Sequence, residues 1–220
     1  MMNTYNIKEQ SGRSMVEMLG VLAIVGVLSI GGIAGYSKAM AKYKINKTLD
    51  QVSMLITNIR TTFGNQPSYR GLSVATAINY ELVGTDLTLG QSTKLTDAYS
   101  GDVQINAATA AGAECSGTGL TDYCPMFTVS FAGLDRTACA TIASSDWGGT
   151  ASSGLVAIKI SQGATSAADA EKTLAFATPG GGVHVWGEDD YKKRLPVDYT
   201  QAYDDCSGES NNNTITWLYN

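Results

Sequence analysis

The sequence predicts an α+β fold, one long N-terminal helix followed by a head built on short strands. Three observations point there. The stretch from Ser14 to Phe63 contains no proline, and its second half carries apolar residues at helical spacing. Beyond it, short apolar or alternating segments recur between turn-forming clusters, which is how strands read. All four cysteines, Cys115, Cys124, Cys139 and Cys206, fall in that later part. A chain of 220 residues has room for one anchor and one modest domain.

Taken in order, residues 1–12 are short and polar, with Lys8 and Glu9 cancelling. From Met18 to Tyr36 the only polar side chain besides the tyrosine hydroxyl is Ser29. That length is about enough to cross a bilayer as a helix. Glu17 stands at the start of the run, and a carboxylate costs roughly 2.5–3.5 kcal/mol at a membrane centre and less near an edge. A secretory signal would end in a small-residue cleavage site after a shorter run. Here the helical pattern continues instead, so removal of the whole segment is the weaker reading. Gly31 and Gly35 make a small-xxx-small pair suited to close helix contact. Lys38, Lys42, Lys44 and Lys47 then occupy polar positions, and Leu49, Val52, Ile56, Ile59 and Phe63 form one helix stripe. Gly64, Asn65 and Pro67 supply the stop. A helix from Ser14 to Phe63 is about 75 Å long at 1.5 Å per residue.

Leu72, Ala75, Ile78 and Leu82 predict a short second helix, and Asp97 to Ile105 a turn entering a strand. Residues 106–120 are rich in Ala, Gly, Ser and Thr and read as an exposed loop holding Cys115. Strands are expected at Met126–Phe131, Ala138–Ile142, Leu155–Ile160, Leu174–Ala177, Gly182–Trp186 and Thr214–Tyr219. Residues 166–173 predict one or two helical turns, capped by Ser166 with Asp169 three residues on. Pro179 to Gly182 is a strong turn signal.

Charge divides the chain. Residues 1–70 hold eight Lys/Arg against three Asp/Glu, and residues 71–220 hold seven against seventeen, so the stem is +5 and the head −10. An acidic head argues against nucleic-acid binding by that surface. The same asymmetry allows copies to pack by charge complementarity, against the plainer reading of solvated surface. Four cysteines after an export-like segment favour disulfides in an oxidising compartment, and three pairings are possible. No CxxC occurs and His184 is the only histidine, which leaves no zinc site and no catalytic constellation. Glu188, Asp189 and Asp190, with Asp204 and Asp205, read as solvated acidic turns rather than a calcium loop. At least two of Trp147, Trp186 and Trp217 belong in the core, because Val183–Trp186 and Thr214–Leu218 alternate like strands.

Gly12 followed at once by a largely apolar helix, with Glu17 as the fifth residue after it, resembles the prepilin peptidase signal of type IV pilins. The resemblance implies that Gly12 ends a leader cut on the cytoplasmic side and that Arg13 becomes the new N-terminus. It also implies that Glu17 neutralises the new amine of a neighbouring subunit during filament assembly. An ammonium within about 4 Å offsets part of the cost of an intramembrane carboxylate. Arg13 stands where that family usually has Phe or Met, and the membrane half lacks the bending proline of many type IVa pilins.

In the head, Tyr69-Arg70-Gly71-Leu72, Leu95-Thr96-Asp97-Ala98-Tyr99-Ser100-Gly101 and Gly133-Leu134-Asp135-Arg136-Thr137-Ala138-Cys139 look like segments of type IVb pilins. By that resemblance Cys139 pairs with Cys206, which leaves Cys115 with Cys124. The fold implied is the type IV pilin fold, a long N-terminal helix packed on an antiparallel sheet, with a disulfide-closed C-terminal region. The implied organisation is a leader at 1–12, a helix at 13–63 with membrane half 13–36 and amphipathic half 37–63, and a head at 64–220. The implied function is polymerisation into a surface filament for adhesion, aggregation or DNA-transfer contact, without enzymatic activity, metal or cofactor. Partners are then other copies of the chain, prepilin peptidase, the inner-membrane assembly machinery and the membrane itself before assembly. A pseudopilin of a type II secretion machine shares the N-terminal logic, and a membrane-anchored periplasmic binding domain that never polymerises is the rival of a different class.

Overall fold

Helix α1 runs without interruption from Met15 to Phe63, as the proline-free sequence allows. The computed structural model describes residues 15–115, 123–148, 153–163, 182–187, 193–208 and 212–220. The chain divides into two compact units, Met1–Lys42 and Tyr43–Asn220. In the first, every residue of α1 from Met15 to Ala39 is solvent-exposed, including Val16, Leu22 and Ile30.

In the second unit, α1 buries Thr48, Gln51, Val52, Leu55, Ile56, Ile59 and Phe63. The expected stripe is therefore present and wider, with Gln51 and Leu55 added and Leu49 half-buried at its edge. Burying a Leu, Ile or Phe side chain contributes about 1.5–3 kcal/mol, so this face, not helix propensity, fixes the helix on the head. A short helix α2, Val74–Asn79, starts at Ser73, whose hydroxyl accepts from the Thr76 amide at 3.2 Å. A single turn, α3, follows at Thr85–Thr88.

The strands are β1 (Leu95–Thr96), β2 (Asp102–Ala108), β3 (Met126–Leu134), β4 (Leu155–Gln162), β5 (Val183–Gly187), β6 (Lys193–Arg194) and β7 (Asn213–Tyr219). Helix α4 spans Arg136–Ala143 and α5 spans Tyr199–Asp205. Among the described residues the strands form one seven-stranded sheet in the order β1-β2-β3-β7-β4-β5-β6. All neighbours pair antiparallel except β5 and β6, which pair parallel. The last strand in sequence thus lies at the centre, and all seven of its residues are buried. One face of the sheet contributes Phe127, Val129, Phe131, Ile215, Trp217 and Tyr219 to the same core as the α1 stripe. Phe63, Tyr69, Phe127 and Tyr219 are in successive ring contact at 5.8, 4.7 and 5.7 Å, tying the end of α1 to β3 and β7. On the other face Ser130 and Thr216 share a hydrogen bond at 2.9 Å, and Ala108, Ala157, Val185 and Leu218 make a smaller cluster.

Two expectations need correction. Ala138–Ile142 is helical, not a strand. Asp135 caps it by accepting from the Ala138 amide at 2.8 Å, and small side chains at Ala138, Cys139 and Ala140 let the helix pack closely. The exposed loop expected at 106–120 begins later, because β2 continues to Ala108 and both Ala107 and Ala108 are buried. The strand expected at Leu174–Ala177 and the helical turns at 166–173 lie outside the described residues, as does most of the turn ending at Gly182.

Candidate functional site

Glu17 lies in the first turn of α1, where the helix dipole favours a carboxylate. Among the described residues no ion pair or hydrogen bond reaches it. The apolar run behind it has a mean hydropathy of 2.2 over its best 18-residue window and is long enough to cross a membrane. Ser29 does not spoil this, since its hydroxyl donates to the Val25 carbonyl at 2.7 Å within the helix. Gly12 and Arg13 lie outside the described residues.

Two disulfides close the head: Cys115 with Cys124, nine residues apart, and Cys139 with Cys206, sixty-seven apart. The second joins α4 to the end of α5, and both of its sulfurs are buried. Next to it, the Asp205 carboxylate is 6% exposed, accepts from Lys193 Nζ at 2.5 Å and Trp186 Nε1 at 3.0 Å, and lies 3.1 Å from His184 Nδ1. Gln162 Nε2 donates to the Asp205 carbonyl at 2.6 Å. Asp205 is therefore a buried, fully used charge that joins β4, β5 and β6 to the disulfide-bonded helix. Asp204, which pairs with Arg136 at 3.6 Å, is the solvated acid the sequence predicts, and Asp205 is a correction to that expectation. Glu188, Asp189 and Asp190 lie outside the described residues. The signal for α5 is Asp198 with Gln201 three residues on: Asp198 accepts from the Gln201 amide at 3.1 Å.

A family model described as bundlin matches residues 37–212. The chain belongs to the bundlin family of type IVb pilins. TcpA, a type IV pilin from the Vibrio cholerae El Tor biotype, is 13% identical over 81% of this chain and 99% of its own, with a TM-score of 0.50. A type IV b pilin from Salmonella typhi is 20% identical over 78% of this chain and 97% of its own, with a TM-score of 0.48. The likeness to TcpA is one of fold. No curated protein sequence matches the chain. Type IV pilins are structural proteins that self-assemble into filaments.

The head of this pilin also holds a buried acid that sequence reasoning did not single out. Asp97 is 6% exposed in the turn between β1 and β2, and one of its oxygens accepts from the amides of Tyr99 and Gly101 at 2.8 and 2.7 Å. Its other oxygen has no hydrogen-bond partner among the described residues. Gly101 is required here, because a Cβ would sit 1.8 Å from the Ala132 carbonyl oxygen. Burial pushes Asp97 up to about 6, against the two amide bonds and the Lys44 charge, which pull it down. Lys44 lies over the Tyr99 ring at 5.3 Å, so α1 covers this turn. The Tyr99 phenol is raised as well, by burial first and by Asp135 and Asp97 second.

A folded-state value above the ordinary one means that the native head holds this proton more tightly than the unfolded chain. The stabilisation is complete below about pH 4 and is lost as pH rises through about 6. Asp97→Asn keeps the acceptor for both amides and removes the buried charge. Urea unfolding of the detergent-solubilised protein should show the variant more stable at pH 7.5 by about 1–3 kcal/mol, with the wild-type loss between pH 4 and 6 abolished. An unchanged pH slope would contradict this assignment.

Proposed function

We propose that the chain is a prepilin that enters the inner membrane by the apolar half of α1, loses residues 1–12 to prepilin peptidase, and is polymerised into an extracellular filament. The observation that carries this reading is the unbroken exposed apolar surface of α1 from Met15 to Tyr36, headed by the single carboxylate of Glu17. Exposed apolar surface of that extent marks a membrane or protein interface. Membrane-embedded subunits cover it with lipid, and filament subunits cover it with one another.

Cleavage after Gly12 frees the amine of Arg13, four residues before Glu17. In the filament that amine, on a neighbouring copy, pairs with the Glu17 carboxylate and sets the register between stems. The mature subunit then consists of helix 13–63 and head 64–220, with the inner-membrane assembly machinery as its partner during extraction. The acidic head faces the environment, where the filament serves adhesion, aggregation or contact for DNA transfer. N-terminal sequencing of the processed protein should begin at Arg13. An intact leader in cells with active peptidase would overturn the proposal.

A further inference from the structure

A groove of about 400 Å³ lies between α1 and α3, within the head unit. Its floor is Leu55 and Leu87, both buried, and its walls carry Tyr43 and Met54, which are 57% and 56% exposed. Its polar lining is unbalanced. Lys47 Nζ stands 3.7 Å from Asp86 Oδ2, so those two charges answer each other. Asp50 also lines the groove and is exposed, and among the described residues it has no ion-pair partner. Gln51 is only 5% exposed, and its Nε2 donates to Asp86 Oδ2 at 2.6 Å, a second tie to the Asp86 carboxylate that leaves the Asp50 carboxylate unanswered. The unanswered carboxylate calls for a cation, and the apolar walls call for one carried on a hydrocarbon shaft. A lysine side chain meets both conditions.

The chain carries such lysines. Between Glu17 and Asp50 the sequence has no acidic residue. Lys44 lies over Tyr99 and Lys47 is held by Asp86, but Lys38 and Lys42 are exposed and have no ion-pair partner among the described residues. They stand four residues apart and so share a helix face. We infer that the groove of one copy receives Lys42 from α1 of a second copy, with Lys38 one turn away, pairing its ammonium with Asp50. This contact rests on the filament reading above and specifies part of it, a basic stem docking on an acidic head. With the two helices side by side and in the same direction, Lys42 opposite Asp50 sets an axial offset of about 12 Å.

Charge reversal tests it in full-length protein expressed in cells. Asp50→Lys alone, and Lys42→Asp alone, should each cut the yield of sheared filaments by about tenfold or more, and the two together should restore it. Subunit level in the membrane and formation of the Cys139–Cys206 bond report folding in each variant. A second variant reads the contact directly. Filaments carrying Asp50→Cys with Lys42→Cys should run as a ladder without reductant and as a single band with it. Filaments that assemble but give only the single band, with this pair and with Asp50→Cys plus Lys38→Cys, would overturn the contact and leave the filament reading standing. Wild-type cells that make no filaments at all would overturn both.

Discussion

Replacing Glu17 with alanine should leave a subunit that still inserts in the membrane and still folds its head, yet assembles few filaments. The side chain sits at the start of α1, far in sequence from the core that holds the head, and contributes nothing to the buried stripe from Thr48 to Phe63. Insertion depends on the apolar run, which becomes more apolar when the acid is removed. Assembly is different. Bringing stems together without the carboxylate leaves the amine of Arg13 on a neighbour desolvated and unpaired, and an uncompensated charge costs far more than a paired one. The expected loss of sheared filament is on the order of tenfold or more, at unchanged membrane level. Glu17→Asp, with the same charge on a shorter arm, should recover part of the yield. Normal filament yield from the alanine variant would remove Glu17 from the assembly mechanism.

The second large effect is on stability. Changing Cys139 and Cys206 together to serine should destabilise the head by about 4 kcal/mol, and changing Cys115 and Cys124 together by about 2.5–3 kcal/mol. The difference comes from loop length, since the first bond spans sixty-seven residues and the second nine. A long loop loses more conformational freedom in the unfolded chain when its ends are joined. The long bond also closes a region whose other ties are polar, through Asp205 to Lys193, Trp186 and His184. Denaturant midpoints of the two paired variants rank the bonds. A smaller loss for the Cys139–Cys206 variant would show that native-state contacts, not chain entropy, dominate its contribution.

What the sequence discloses and conceals follows from the range of the interactions. Helix α1 is legible because its signal is local, a missing proline and a repeat of three and four that the stripe residues carry within themselves. The N-terminal motif is a local signal too, and its Gly12 and Arg13 lie outside the described residues. Strands β3, β4, β5 and β7 are found within a few residues of where alternation places them. Helix α4 misreads as a strand because its stretch from Ala138 to Ile142 is short and apolar, and only the Asp135 cap distinguishes the two. Asp205 conceals its role more deeply. Its partners come from β4, β5 and β6, and only the order of strands in the sheet brings them to the end of α5. Two adjacent aspartates read alike in sequence, yet Asp204 is solvated and Asp205 is buried among donors. Asp97 is concealed in the same way, since the turn it occupies meets Lys44 of α1 through Tyr99 and Ala132 of β3 through Gly101, both far from it in sequence.

Imaging sheared surface fractions from otherwise identical cells, with and without the chain, shows whether this chain is the material of a surface filament. Thin filaments built of a chain that begins at Arg13 should be present in the first fraction and absent from the second. Filaments of the same kind from cells lacking the chain, or none from cells that make and process it, would rule that role out.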